Sequence, residues 1–357
     1  MSRLRKDHGL CIGSGAPGPA NCITDVPGVQ VGHETIVAED DGVCTGVTAV
    51  LPHDGDLYRE KLPAAAAVIN GYGKMTGLAQ IHELGLIESP IVLTNTLGVG
   101  TAWDAVTGWM LERFDRPEDP ILSINPVVAE CNDSQLNHIR ARAVDEHHVR
   151  AALDGASSDP AAEGCVGAGT GMTAFGWKSG VGTASRFVRR GENRYALGVL
   201  ALPNFGRADQ LTIRGVPVGE TLPGPCARGR STGGSIVVLV ATDLPCDARQ
   251  LSRLARRVAV GIARTGGTCD GTSGEFALAF STAKRVPHKD TGDLPRQAPN
   301  DVAEALDDAF LAVVEATEEA ILSALFAATP TVGHDGRPCP ALPRPSVLAL
   351  VGASRAA

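Results

Sequence analysis

The chain has 357 residues, 43% hydrophobic, 20% charged and 4% aromatic, with 42 glycines and a formal net charge of -8. That is enough apolar material for one large core or two smaller ones, and too little charge for a disordered chain. The acidic balance repels polyanions, so no nucleic-acid partner is expected; no stretch nears the roughly 18 uninterrupted apolar residues of a spanning helix, so no membrane partner is expected either.

The opening "MSRLRKDHGLCIG" is basic but lacks the apolar core of a signal peptide. Nine cysteines are scattered without a C-x-x-C pair, which suggests neither a disulfide framework nor a zinc knuckle. The expected compartment is the cytoplasm. "HELGL" at 82–86 begins like a zinc-binding H-E-x-x-H, but Leu86 stands where the second ligand must be. No metal and no cofactor are expected.

Further on, strand is followed by helix. "SPIVLTNT" (89–96) is a β run leading into "VGTAWDAVTGWMLERF", where Trp103, Val106, Trp109, Met110 and Phe114 recur at helical spacing. "DPILSINPVVAE" and "RYALGVLALPNFG" read as further core strands, each running into a polar residue at its end. Between them "GCVGAGTGMTAFGWKSGVGTAS" (164–185) is neither a dinucleotide fingerprint nor a phosphate loop, and reads as close-packed loops near a site. The short basic clusters, Arg186, Arg189 and Arg190, then Arg253, Arg256 and Arg257, read as solvated faces.

"STGGSIVVLVATDLP" (231–245) places Gly233, Gly234 and Ser235 ahead of an apolar β run. The glycines could form a plain turn. They also leave the Gly234 carbonyl open to attack by the Ser235 hydroxyl, which would break the chain and make Ser235 a new N-terminus. A helix follows from Asp247, a D-x-x-Q capping box, to Gly266-Gly267; another runs from near Asp301, with Glu304 three residues on, to Thr329-Pro330, carrying Leu306, Phe310, Val313, Val314, Thr317 and Ile321 inward. Loops at 154–163 and 284–300 are surface excursions, and the whole is a single layered α+β domain. In "GTSGEFALAFST", Ser273 and Glu275 are two apart, so on an extended chain they share a face as a hydroxyl–carboxylate pair; a Gly-Ser-Gly turn with an exposed glutamate has the same spacing. A free N-terminal serine would carry its own base, an α-amine, and would need no histidine.

"ITDVPGVQVGH", "MTG" (75–77), "TNT" (94–96), "VVAECND", "GAGTGM", "GVGTASR", "NFG", "GGSIVVLVATDLP", "LARRVAVGIARTG" and "SGEFALAFST" together resemble, in order and over nearly the whole chain, the P1 family of serine peptidases. These are L-aminopeptidase/D-amidase/esterases and β-peptidyl aminopeptidases. The resemblance implies a four-layer αββα sandwich similar to N-terminal-nucleophile hydrolases but with different strand connectivity. It also implies self-cleavage at Gly234-Ser235 into chains 1–234 and 235–357, and assembly of the cleaved heterodimers into a homo-oligomer. Ser235 becomes the nucleophile, with Ser273 and Glu275 as its supporting pair and Asn204 as oxyanion donor. Glu130, with Asn132 beside it, receives the free ammonium of a small peptide, amide or ester substrate. Lys74, Asn132 and His138 depart from residues common in relatives, which bears on substrate preference. Acyl transfer of the ornithine-acetyltransferase type, and a dead-site binding protein, are the competing readings; the first uses threonine at the junction, and the second fits poorly with an intact Ser235, Ser273 and Glu275.

Overall fold

The computed structural model describes residues 3–226, 234–289 and 306–353. In chain order the main strands are β1 (Gln30–Ala38), β2 (Val43–Leu51), β3 (Glu60–Gly71), β4 (Ile91–Asn95), β5 (Val127–Cys131), β6 (Gly182–Arg190), β7 (Asn193–Asn204), β8 (Ser235–Thr242) and β9 (Gly274–Ser281). The main helices are α1 (Val99–Phe114), α2 (Glu146–Asp154), α3 (Ala248–Arg264) and α4 (Asp307–Ala327).

The strands divide into two sheets. One runs β1-β2-β4-β5; the other runs β3-β9-β8-β7-β6, with Val286–Pro287 on the outer edge of β3. Each sheet holds one parallel pair, β4 with β5 and β8 with β9, and a parallel neighbour requires a long crossover. Helices α1 and α3 supply them.

Side-chain alternation sorts the residues into three apolar layers. Ile236, Val238 and Val240 of β8 face α3 and α4, whereas Val237, Leu239 and Ala241 face the other sheet. Ile91, Leu93, Val127 and Ala129 meet them from β4 and β5, and Val92 and Val128 turn outward onto α1 and α2. Helices therefore lie outside and two sheets inside, which is the αββα sandwich. A strand buried on both faces must be apolar throughout, and this explains the unbroken run "IVVLVA". Among the described residues no helix is long and apolar enough to cross a membrane.

The capping box at α3 forms as its sequence suggests: Asp247 accepts from the Gln250 amide at 2.7 Å and Gln250 returns the bond at 3.0 Å. Other expectations need correction. Arg186 is not on a solvated face. It is 1% exposed, and its guanidinium bonds Glu315 at 3.1 Å and Glu319 at 2.6 Å, both on α4. Strand β6 lies under α4 there, whereas the hairpin end carries Arg189 and Arg190 out to water. Trp103 lies 39% exposed on the outer side of α1, and of "DPILSINPVVAE" only the end, β5, is strand. Gly233, Asp301 and Glu304 lie outside the described residues.

Candidate active site

Ser235 is the first residue of β8, and its place in the alternation turns its side chain toward the β1-β2-β4-β5 sheet. Two N–H groups point at its Oγ, the side-chain amide of Asn204 at 3.2 Å and the backbone amide of Asn132 at 3.3 Å. Asn204 is the last residue of β7 and pairs directly with Ser235 in the ladder. Its amide is fixed at both ends: Nδ2 also donates to the Asn132 carbonyl at 2.7 Å, and Oδ1 accepts from the Thr173 backbone at 3.2 Å. Thr173 belongs to the glycine-rich stretch, which is buried beside the site.

The Gly234 carbonyl accepts a hydrogen bond from the Gly274 amide at 3.0 Å, so the bond ahead of Ser235 is already polarised by a donor. Ser273 and Glu275 flank Gly274 at the head of β9, both buried. A Cβ on Gly234 would come 2.9 Å from Ser273 Oγ, which places that hydroxyl against the junction on its Gly234 side. Asn70 of β3 holds the turn by donating to the carbonyls of Asp270, at 3.1 Å, and Ser273. Burial raises the Glu275 pKa above its ordinary 4.5; the nearby Ser273 hydroxyl opposes this and the negative charge of Asp270 adds to it. Ser273 Oγ and both Glu275 oxygens still complete no well-directed hydrogen bond among the described residues. Buried oxygens without full partners are costly, and they suit a place where a further donor is to arrive.

Glu130, on β5, is 4% exposed. One carboxylate oxygen accepts from the Thr96 hydroxyl, and the other from the Lys74 backbone at 3.2 Å and from Lys74 Nζ at 3.5 Å. Gly73 ties this carboxylate to the nucleophile: a Cβ there would lie 3.5 Å from Glu130 Oε1 and 3.3 Å from Gly274 Cα, and Gly274 pairs with Ser235. All seven residues singled out from the sequence, Gly234, Ser235, Asn204, Ser273, Glu275, Glu130 and Asn132, thus gather where the ends of β3, β5, β7, β8 and β9 converge. His138 does not join them; it is exposed and stacks on His334.

Sequence reasoning passed over the groups that hold these in place. Thr96 orients Glu130, Asn70 braces the Ser273 turn, and Thr173 fixes Asn204. Behind Asn132, the buried Asp133 accepts from the Thr45 hydroxyl at 2.5 Å and from Asn137 at 3.0 Å. Burial pushes its pKa up to about 6 against those hydrogen bonds. The available signal was the polar ending of each apolar strand, as in "TNT" and "ECND".

A four-layer fold that closes on a buried serine hydroxyl between amide donors defines the class, a serine hydrolase of N-terminal-nucleophile architecture. Residues 21–339 match the model of Peptidase family S58. The chain is 40% identical over 339 residues to beta-peptidyl aminopeptidase BapA of Sphingosinicella xenopeptidilytica, covering 89% of this chain and 84% of that one. It is similar to the PH0078 protein of Pyrococcus horikoshii OT3, with TM-score 0.90, 45% identity and coverage of 98% of this chain and 99% of the other. It is also similar to the L-aminopeptidase D-Ala-esterase/amidase of Ochrobactrum anthropi, described as a variant of the Ntn hydrolase fold, with TM-score 0.89, 39% identity and coverage of 98% of each. The chain belongs to Peptidase family S58, and with it to the serine aminopeptidases, which are hydrolases. Neither acyl transfer nor a dead-site binder gains support from these relatives.

Proposed function

We propose that the protein cuts itself between Gly234 and Ser235 and then releases N-terminal residues from small peptides, amides or esters through an acyl-enzyme on Ser235. The observation that carries this reading is the convergence at the junction. Two N–H donors hold the Ser235 hydroxyl, and a third holds the Gly234 carbonyl that it would attack. In the cut, the hydroxyl adds to that carbonyl, the Gly274 amide steadies the oxyanion, and the acyl group moves from nitrogen to oxygen before water frees it. Departure of Gly234 uncovers the Ser235 α-amine on the side where Ser273 and Glu275 lie. The amine takes the hydroxyl proton as base, and the Ser273/Glu275 pair supplies the acceptors that orient it. Asn204 and the Asn132 amide then face the oxyanion of the substrate.

Glu130 receives the substrate ammonium in this reading, since a nearly buried carboxylate beside the nucleophile suits a charge-assisted bond to a free amine. The cleaved chains stay together as one domain and associate as a homo-oligomer, for which the exposed Trp103 and Leu111 on α1 offer apolar surface to cover. The cytoplasm is the proposed compartment, on the basis of an odd number of cysteines, nine, scattered without a C-x-x-C pair.

The assay that tests the substrate assignment compares alanyl p-nitroanilide with its N-acetylated form. Wild type should hydrolyse the free amine and reject the acetylated one. Glu130→Gln should lower kcat/KM for the free amine and narrow the gap between the two. Equal hydrolysis of both substrates by wild type would overturn the aminopeptidase reading.

A further inference from the structure

Glu130 already faces a cation. Lys74 Nζ lies 3.5 Å from the same carboxylate oxygen that accepts the Lys74 backbone amide, and the lysine side chain is 56% exposed while Glu130 is almost wholly buried. Lys74 is the residue after Gly73, which packs on Gly274 beside Ser235, so the lysine belongs to the rim of the site. A substrate that brings only an ammonium adds a second positive charge to one carboxylate and leaves Lys74 without an undivided counter-ion. A substrate that brings an ammonium and a carboxylate completes an alternating square: ammonium on Glu130, carboxylate on Lys74.

We propose that Lys74 and Glu130 act as a paired reader that favours substrates whose first residue carries a free carboxylate as well as its free amine. This deepens the aminopeptidase reading and rests on it. The substrate class is an N-terminal acidic residue. Linked through its α-carbonyl, such a residue offers its side-chain carboxylate; linked through its side-chain carbonyl, it offers its α-carboxylate. Lys74 is a specificity residue in either case, and takes no part in bond breaking. An exposed lysine is screened by salt, so the preference weakens as ionic strength rises.

The test uses the full-length protein and three p-nitroanilides: L-alanyl, α-linked L-aspartyl and β-linked L-aspartyl. kcat/KM is measured for wild type, Lys74→Met and Lys74→Arg, at low salt and at 0.5 M salt, about three to four times physiological ionic strength. In wild type at least one aspartyl anilide should exceed the alanyl one, and which of the two does so identifies the linkage. The aspartyl-to-alanyl ratio should fall about tenfold or more in Lys74→Met, fall with salt in wild type, and persist in Lys74→Arg. An unchanged ratio in Lys74→Met overturns the proposal, as does an enzyme that hydrolyses the alanyl anilide and neither aspartyl one. Loss of all three substrates, alanyl included, instead brings down the aminopeptidase reading and this proposal with it.

Discussion

At the scale of single residues, the site departs from what stability alone would select. Ser273 and Glu275 are buried with oxygens that complete no well-directed bond among the described residues, and Glu275 holds its proton above the ordinary carboxylate range because burial disfavours its charge. The sign of the consequence is fixed. Between pH 4.5 and the raised native pKa, the folded protein binds more protons at Glu275 than the unfolded chain does, so stability falls as pH rises through that window. Glu275→Gln should remove this contribution. Urea midpoints of wild type and variant, measured across the window, should diverge as pH rises, with wild type losing more; parallel curves would show that Glu275 titrates alike folded and unfolded. The pair itself was legible from its i, i+2 spacing ahead of a β run. Its burial was not, because a Gly-Ser-Gly turn with an exposed glutamate has the same spacing. Asn204 is a comparable case: from sequence it is a turn residue after a strand, and only its pairing with Ser235 puts its amide on the hydroxyl.

At the scale of elements, the site depends on how closely strands and helices approach. Gly182 on β6 has no side chain where α4 passes, and a Cβ there would fall 1.9 Å from the Ala320 carbonyl oxygen, a backbone atom that cannot swing aside. Gly182→Ala should force β6 and α4 apart and destabilise the protein by roughly 1–3 kcal/mol or more, the usual range for overpacking. Thermal unfolding of the purified variant measures it, and an unchanged Tm would mean that the sheet–helix spacing is slack. The strands β7, β8 and β9 and the capped helix α3 were readable from period and capping chemistry. The segment before β5 was not, since Pro126 and the polar residues around it break the ladder in "DPILSINPVVAE". Nor did sequence show that Arg186 turns inward, because a three-arginine cluster resembles a wet face until a partner helix bearing Glu315 and Glu319 is known to lie above it.

At the scale of the whole molecule, that buried cluster joins the two halves of the chain. Arg186 lies before the junction at 234, Glu315 and Glu319 lie after it, and Glu315 also accepts from the backbone amides of Ser14 and Gly15, each at 2.8 Å. If the chain is cut, these contacts hold fragment to fragment. Arg186→Met should leave the buried Glu315 without its cation and Glu319 with Arg5 at 3.9 Å as its remaining charged neighbour, and cost about 3–5 kcal/mol, whereas Arg186→Met combined with Glu315→Gln and Glu319→Gln should recover part of that loss. Urea denaturation of both variants decides it, and a single variant as stable as wild type would show that the cluster bears little load. Both the maturation and the catalysis proposed for this protein depend on the bond ahead of Ser235. Intact-mass analysis of the denatured purified protein, with N-terminal sequencing of the smaller species, tests it most directly. Wild type should give two chains, residues 1–234 and 235–357, the second beginning Ser-Ile-Val-Val, and Ser235→Ala a single uncut chain. One intact chain in a wild-type preparation that hydrolyses alanyl p-nitroanilide would contradict both.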